Sequence, residues 1–328
     1  MKKVVAYGEI MMRLTPQNFE MLEDARNLDL CYGGTESNVL VALAHLGDKT
    51  SYLTKLPDNQ LGEAVKRHLL RHEVGVDDIV YGGSMLGIYF MEQGYGSRSS
   101  SVLYHRKSAV INTLTEDDFD YDKVFEGASW FHVTGISLAI SEASKNVALR
   151  LCKEAKKRNL TVSFDFNYRQ TLWTLEEAKP VYKEIMEYVD ICFGNSFDLA
   201  NFMEINKSSE ENTIKHFLKE YDVKYLIHTK RNIIDANIQE LSGHLYSLDE
   251  SYHTDARRFE VLDRIGGGDA FVAGIIHILN NDIKNVEEAL SLGIDLGILK
   301  HLVSGDVLGL SGNEIRKWLN NRSKDVIR

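Results

Sequence analysis

The sequence predicts an α/β fold, a mainly parallel sheet with helices on both faces, plus a small group of hairpin strands. Three observations predict it. From Trp130 onward, short apolar runs alternate with amphipathic segments of helical length, the pattern of a parallel sheet covered on both sides. Between residues 79 and 108 that alternation gives way to short runs rich in Tyr, Ile and Val, broken by Gly82-Gly83, Gly94 and Gly96, which reads as hairpin strands. Only three prolines occur in 328 residues, and no internal repeat, low-complexity tract or interdomain linker interrupts the chain; one compact body is expected.

Taken in order, the apolar run 3–7 reads as a buried strand. Gly33-Gly34-Thr35-Glu36-Ser37-Asn38 follows, then a helix with Val39, Ala42, Leu43 and Leu46 on one face and Gly47 as its stop. Residues 51–55 form the next strand and 61–72 an amphipathic helix. Within the hairpin stretch, Tyr104 and Arg106 are two apart, so on a strand they share a face. With Tyr89 they suit a ligand bearing hydroxyls and a carboxylate; a solvated surface is the plain alternative. Strands are then predicted at 130–134, 161–166, 191–194 and 225–228. Helices are predicted at 142–158, 175–187, from Ser196, at 210–221, 270–279, 286–301 and 314–319. Ligands on such sheets bind at the carboxyl ends of the strands. The residues to read are therefore Asn167-Tyr168-Arg169, Asn195-Ser196-Phe197-Asp198 and Thr229-Lys230-Arg231. Arg169 could pair with an anionic substrate or simply cap the next helix.

Most chemistry is concentrated in Asp263-Arg264-Ile265-Gly266-Gly267-Gly268-Asp269-Ala270-Phe271. Three consecutive glycines carry a large backbone entropy cost, so packing is not their expected purpose. Glycine-rich backbone feeding an apolar helix leaves several N–H groups aimed at one spot, where the helix dipole also favours negative charge. That is a phosphate site. A carboxylate among those donors competes with the anion unless it has a task of its own. The task expected of Asp269 is general base, with the amides of Gly266, Gly267 and Gly268 holding a transferring phosphoryl group. A plain N-cap on a glycine-rich turn is the alternative.

This stretch resembles the C-terminal signature of the ribokinase-like (PfkB-type) carbohydrate kinases, D-T-x-G-A-G-D-x-F, with Arg264 in place of the threonine and Gly267 in place of the alanine. Residues 33–40 resemble the same family's N-terminal signature, G-G-x-x-x-N-x-A, with Leu40 in place of the alanine; the glycine and asparagine that line the sugar there are Gly34 and Asn38. The resemblance implies a ribokinase-like three-layer fold, one domain over 1–328, with a β-strand lid drawn from about 8–32 and 79–108. Asp165-Phe166-Asn167-Tyr168-Arg169 resembles the D-x-N-x-R of the family's acid-sugar branch, in which the arginine grips the substrate carboxylate. The family's magnesium-linked N-x-x-E is matched by Asn195 and Asp198, one methylene shorter and acting through water. Ser304-Gly305-Asp306 resembles its late G-D pair, making Asp306 a substrate or site-organising residue. The implied nucleotide contacts are Asn167, Asn195, Thr229, Arg231, Gly266 and Gly268. Most of the family has a glycine-rich turn after the 225–228 strand, whereas this chain has no glycine there until Gly243.

Gly34, Tyr89, Tyr104, Arg106 and Arg169 together look like the sugar-acid pocket of 2-keto-3-deoxygluconate kinases. Two arginines aimed at a neutral sugar would be costly to desolvate without a counter-charge. The implied cofactors are ATP and Mg²⁺, and the implied reaction is phosphorylation of the sugar acid's terminal hydroxyl. A fructokinase-like enzyme and a non-catalytic sugar-acid-binding regulator are the alternatives. The family's lids often pack together, so a homo-oligomer, a dimer through lid strands or larger, is expected. No G-x-x-x-x-G-K-[ST], no G-x-G-x-x-G after a strand and no H-E-x-x-H occurs, which counts against P-loop, dinucleotide and zincin chemistry. A net charge of −10 argues against general nucleic-acid or anionic-membrane binding. Cys31, Cys152 and Cys192 are widely spaced and odd in number, so free thiols in a reducing cytosol are expected. Lys2-Lys3 and the apolar run after them start like a signal peptide, but Glu9 and Arg13 break the run. The expectation is a soluble cytoplasmic protein.

Overall fold

The computed structural model describes residues 2–235 and 237–320. Its strands are, in chain order, β1 (Lys3–Tyr7), β2 (Met11–Pro16), β3 (Leu28–Gly33), β4 (Lys49–Leu53), β5 (Lys55–Leu56), β6 (Val80–Tyr81), β7 (Ile88–Glu92), β8 (Ser101–His105), β9 (Ala128–Thr134), β10 (Thr161–Asp165), β11 (Ile191–Phe193), β12 (Tyr225–Ile233), β13 (Ile238–Tyr246), β14 (Ser251–His253) and β15 (Arg257–Glu260). The main sheet has the order β14-β13-β12-β11-β10-β9-β1-β4, with β15 also paired to β13. From β4 to β12 every pairing is parallel. Strand β1 shows why the sheet needs two covers. Val4 and Ala6 belong to one buried cluster, Val5 and Tyr7 to the other, so the strand is apolar on both faces.

Helices Thr35–Leu46, Gly267–Asn281 and Val286–His301 cover one face; Glu142–Lys157, Leu175–Met186 and Glu210–Glu220 cover the other. The result is a three-layer α/β body. The helix starts are written locally. Asn59 caps Gln60–Arg71 by accepting from the Leu61 and Gly62 amides, and Thr174 with Glu177 forms a reciprocal box on Leu175–Met186. Among the described residues no helix is long and apolar enough to cross a membrane.

A second sheet, β3-β2-β7-β8, stands apart from the first and covers one end of it. Its register aligns Cys31, Arg13, Tyr89 and Tyr104 in one row across four strands, and Tyr89 and Tyr104 of that row line the cavity described below. Two expectations need correction here. Val80 and Tyr81 were grouped with the lid, but β6 pairs with β5 in a separate two-stranded sheet. The strand expected at 225–228 runs on to Ile233, so Thr229, Lys230 and Arg231 lie within it, paired antiparallel to β13. The cause is that Asp235 accepts from the Asn237 and Ile238 amides, closing a hairpin that returns the chain along β12.

Candidate active site

Two cavities meet at the carboxyl ends of β10 and β11 and beside the middle of β12. The first, about 590 Å³, lies under the second sheet; the other, about 510 Å³, opens over β11 and β12. Both are lined by Asp165, Asn167, Arg169, Arg231, Arg264 and Gly268, which therefore form the seam between them. Gly34, Asn38, Tyr89, Tyr104, Arg106, Gly266, Asp269 and Asp306 line only the first. Asn195, Asp198, Thr229 and Gly267 line only the second. All the predicted site residues thus come to one continuous cleft, although Gly34 and Asp306 are 272 positions apart in sequence.

The three glycines have three different reasons to be glycine. Gly266 has φ +81°, and a β-carbon there would meet the Asp306 carbonyl oxygen at 1.8 Å. Gly267 is packed against the His301 imidazole, whose Cε1 would be 2.1 Å from an added β-carbon. The expectation that packing is not their purpose fails at Gly267. Gly268 alone has nothing within 4 Å of that position and lies open at the seam. Helix Gly267–Asn281 starts at this point, so its first N–H groups have no intrahelical acceptors.

Asp269, in the first turn, accepts at Oδ2 from Asn38 Nδ2 at 2.7 Å. The Asn38 Oδ1 in turn accepts from the Gly34 amide at 3.3 Å. Gly34 is tied to its place by backbone proximity, since a side chain there would strike the Glu9 carbonyl at 1.9 Å. The two sequence signatures therefore join through a single carboxylate–amide contact. Burial raises the Asp269 carboxyl to about 7; the Asn38 hydrogen bond and Arg169 oppose that rise, while Glu36 and Asp306 add to it. A carboxyl poised there can exchange a proton near neutrality.

Under the lid the sequence reading missed the main organiser. Arg13 is 2% exposed. Its Nη1 donates to Asp306 Oδ1 at 2.7 Å, its Nη2 pairs with Asp263 Oδ2 at 2.8 Å, and its Nε donates to Thr15 Oγ1 at 2.8 Å. Tyr89 also donates to Asp306, and Asp263 accepts from the Ile265 and Gly305 amides, each at 3.1 Å. Asp306 is thus held by the lid, the site-organising alternative. In sequence, Arg13 stood out only as a charge ending an apolar run.

Arg106 lies just after β8 and forms a buried ion pair with Glu9; the Tyr104 ring lies 5.6 Å from the guanidinium carbon. That corrects the premise that both arginines lack a counter-charge. Burial raises the Glu9 carboxyl to about 6 against the pull of Arg106. Glu36, a second missed acid, accepts from the Thr134 amide at 3.1 Å, Thr134 Oγ1 at 2.8 Å and Ser137 Oγ at 2.7 Å. Burial raises its pKa.

At the end of β10, Asn167 has φ +36°, a backbone state that asparagine tolerates better than most residues. The Asp165 carboxylate holds it there by accepting from its amide at 3.0 Å. The turn leads directly into Arg169, which is exposed to the cleft and has no ion-pair partner among the described residues. Burial, with Asp269 and Asp198 nearby, raises Asp165 to about 7 against the pull of Arg169. Asn195 and Asp198 do cap a helix: Asn195 Oδ1 accepts from the Phe197 amide at 2.8 Å, and Asp198 Oδ2 accepts from the Asn195 amide at 2.9 Å. Burial raises Asp198 to about 6. Among the described residues no three His, Cys, Asp or Glu side chains cluster as metal ligands. These donors suit a magnesium ion held chiefly by phosphates and water, as is usual for that ion.

Similarity to known proteins agrees with this geometry. A family model for pfkB family carbohydrate kinases matches residues 1–310. A 2-dehydro-3-deoxygalactonokinase from Haloferax volcanii is 30% identical over 328 residues, covering 99% of both chains. The crystal structure of a 2-dehydro-3-deoxygluconokinase from Thermotoga maritima superposes with a TM-score of 0.91 at 33% identity, covering 96% of this chain and 97% of that one. A PfkB family carbohydrate kinase from Listeria grayi gives a TM-score of 0.93 at 31% identity, with 97% and 100% covered. With both signatures converging on Asp269 and the family model matched over nearly the whole chain, this protein belongs to the pfkB family of carbohydrate kinases.

Proposed function

We propose that the enzyme transfers the γ-phosphoryl group of ATP to the terminal (6-) hydroxyl of 2-keto-3-deoxygluconate. The observation that carries this reading is Asp269, fixed by Asn38 between a sugar-sized cavity and the open amides at Gly268. In the step, the hydroxyl oxygen forms a bond to the γ-phosphorus as its proton passes to the Asp269 carboxylate. The bond between the γ-phosphorus and the β–γ bridging oxygen breaks, and ADP leaves. Charge spread over the transferring oxygens meets the Gly266–Gly268 amides and the positive end of the helix dipole. Magnesium, when bound, would neutralise part of the polyphosphate charge, held through water by Asn195 and Asp198 and directly by phosphate oxygens.

The acid character of the sugar rests on Arg169. Arg106 is paired with Glu9, whereas Arg169 is exposed to the cleft near Asp165 and Asp269 but makes no ion pair among the described residues, and a carboxylate is a fitting partner for its fork of donors. Tyr104 and Asn38 supply hydroxyl contacts. The galactonate-derived epimer is the second reading, favoured by the Haloferax relative. Coupled ADP release with ATP, Mg²⁺ and each epimer, beside fructose, tests the set. Turnover of a keto-deoxy sugar acid with kcat/KM well above that for fructose is expected. Tight binding of the acid without ADP release would show a regulator instead, and a preference for fructose would show a fructokinase.

A further inference from the structure

Besides Arg169, two guanidinium groups at the seam have no ion-pair partner among the described residues. Arg231 lies on β12, on the same face as Thr229, two residues before it; Arg264 immediately follows the Asp263 that Arg13 holds. Both line both cavities and are exposed to the cleft. Among the described residues, neither makes an ion pair or a side-chain hydrogen bond. They are also close enough that Arg264 helps to lower the pKa of Arg231, after burial. Like charges that face the same two cavities without an ion-pair partner repel one another. Such a pair is relieved by a ligand bearing several negative charges.

The position says which ligand. On one side of the seam is Asp269, the proposed acceptor of the sugar's proton; on the other are Asn195 and Thr229. What must straddle it during the reaction is the terminal phosphate of the nucleotide. Arg231 and Arg264 are also two places where the chain departs from the family's pattern, an arginine replacing the signature threonine and a charged strand replacing a glycine-rich turn. The structure makes one feature of the two departures.

We propose that Arg231 and Arg264 form a two-guanidinium clamp on the terminal phosphates of the nucleotide, holding the γ-phosphoryl group above Asp269 through transfer. This rests on the kinase reading of the same cleft. Guanidinium donors meet phosphate oxygens in pairs, and the loss of one donor to a developing oxyanion typically lowers turnover by about 10²–10³-fold.

The test uses the purified full-length enzyme and its Arg231→Ala, Arg264→Ala and Arg264→Lys variants. Calorimetry measures binding of AMP, ADP and the non-hydrolysable triphosphate AMP-PNP with Mg²⁺; steady-state kinetics measures kcat and both KM values. The clamp predicts unchanged AMP binding and a loss that grows with each added phosphate. It also predicts kcat lowered by roughly 10²-fold in either alanine variant, KM for the sugar acid unchanged, and partial recovery in Arg264→Lys. An equal loss of AMP and AMP-PNP binding would overturn it, since the side chains would then be shaping the pocket and not reading phosphate. Unchanged AMP-PNP binding with a raised KM for the acid, but not for a neutral sugar, would also overturn it and assign the pair to the substrate carboxylate. If the unaltered enzyme released no ADP with any sugar acid, the kinase reading would be the part that failed, and the graded binding loss would still judge the clamp.

Discussion

Asp269, the proposed general base, has to be deprotonated while surrounded by groups that disfavour its charge. Burial, Glu36 and Asp306 push its carboxyl up to about 7, and Asn38 and Arg169 hold it from rising further. A base works only once deprotonated, so kcat/KM should climb as pH rises through about 7 and then level off. In Asp269→Asn that limb should vanish and kcat should fall by about 10²–10⁴-fold. Asn38→Ala removes a hydrogen bond to the charged form. A bond of that kind contributes about 1.5–3 kcal/mol, or roughly 1–2 pH units, so the limb should move alkaline by that amount. A pH profile that stays in place would show that Asn38 does not tune the base. Compared at a pH above that limb, where loss of its pull on Asp269 no longer matters, Arg169→Ala should lower kcat/KM for the keto-deoxy acid by about 1.5–3 kcal/mol and leave fructose turnover nearly unchanged. Equal losses on both sugars would remove Arg169 from carboxylate recognition.

At the scale of elements, Arg13 fastens the lid strand β2 to the loops carrying Asp263 and Asp306. Its guanidinium answers two buried carboxylates at once, so Arg13→Met takes the paired cation from both and leaves Asp306 with Tyr89 and Asp263 with the Ile265 and Gly305 amides. Breaking one side of a buried pair typically costs about 3–5 kcal/mol, and denaturant unfolding should show a loss of that order, with a weaker rescue by Arg13→Lys. A loss below about 1 kcal/mol would mean the carboxylates find other partners. Arg13 also marks where sequence reading stops. Local signals were legible: the apolar alternation of the parallel strands, the Thr174–Glu177 box, the glycine stop at Gly47. The partner of Arg13 lies 293 positions away, and nothing local announces it. The same holds for Gly267, whose reason is the ring of His301. The continuation of β12 through Thr229-Lys230-Arg231-Asn232 was hidden for another reason. Those side chains do not alternate apolar with polar, and the strand exists because β13 meets its backbone. Asp269 was legible as the proposed base because the three glycines and the carboxylate sit together in nine consecutive residues, whereas the contact from Asn38 shows only in the folded chain.

For the whole molecule, the lid has a second face to account for. On the face opposite the row of Cys31, Arg13, Tyr89 and Tyr104, the register aligns Leu30, Leu14, Phe90 and Leu103. Leu30 and Leu103 are 52% and 60% exposed, with Leu14 and Phe90 half-buried between them. An apolar row across a four-stranded sheet is an unfavourable surface to leave in water, and a second copy of the same lid packed about a two-fold axis would cover it. The enzyme is therefore expected to run in light scattering at about twice the 37.2 kDa chain mass. The paired variant Leu30→Glu, Leu103→Glu should reduce it to a single chain, because like charges would then face each other across the axis. Since Tyr104 neighbours Leu103 in the same strand, separation should also loosen the sugar side of the cleft. It should raise KM for the acid while leaving KM for ATP, whose proposed site lies over β11 and β12, nearly unchanged. A native enzyme of single-chain mass at micromolar concentration would exclude lid pairing, and an unchanged KM in a dissociated variant would uncouple the pairing from the site.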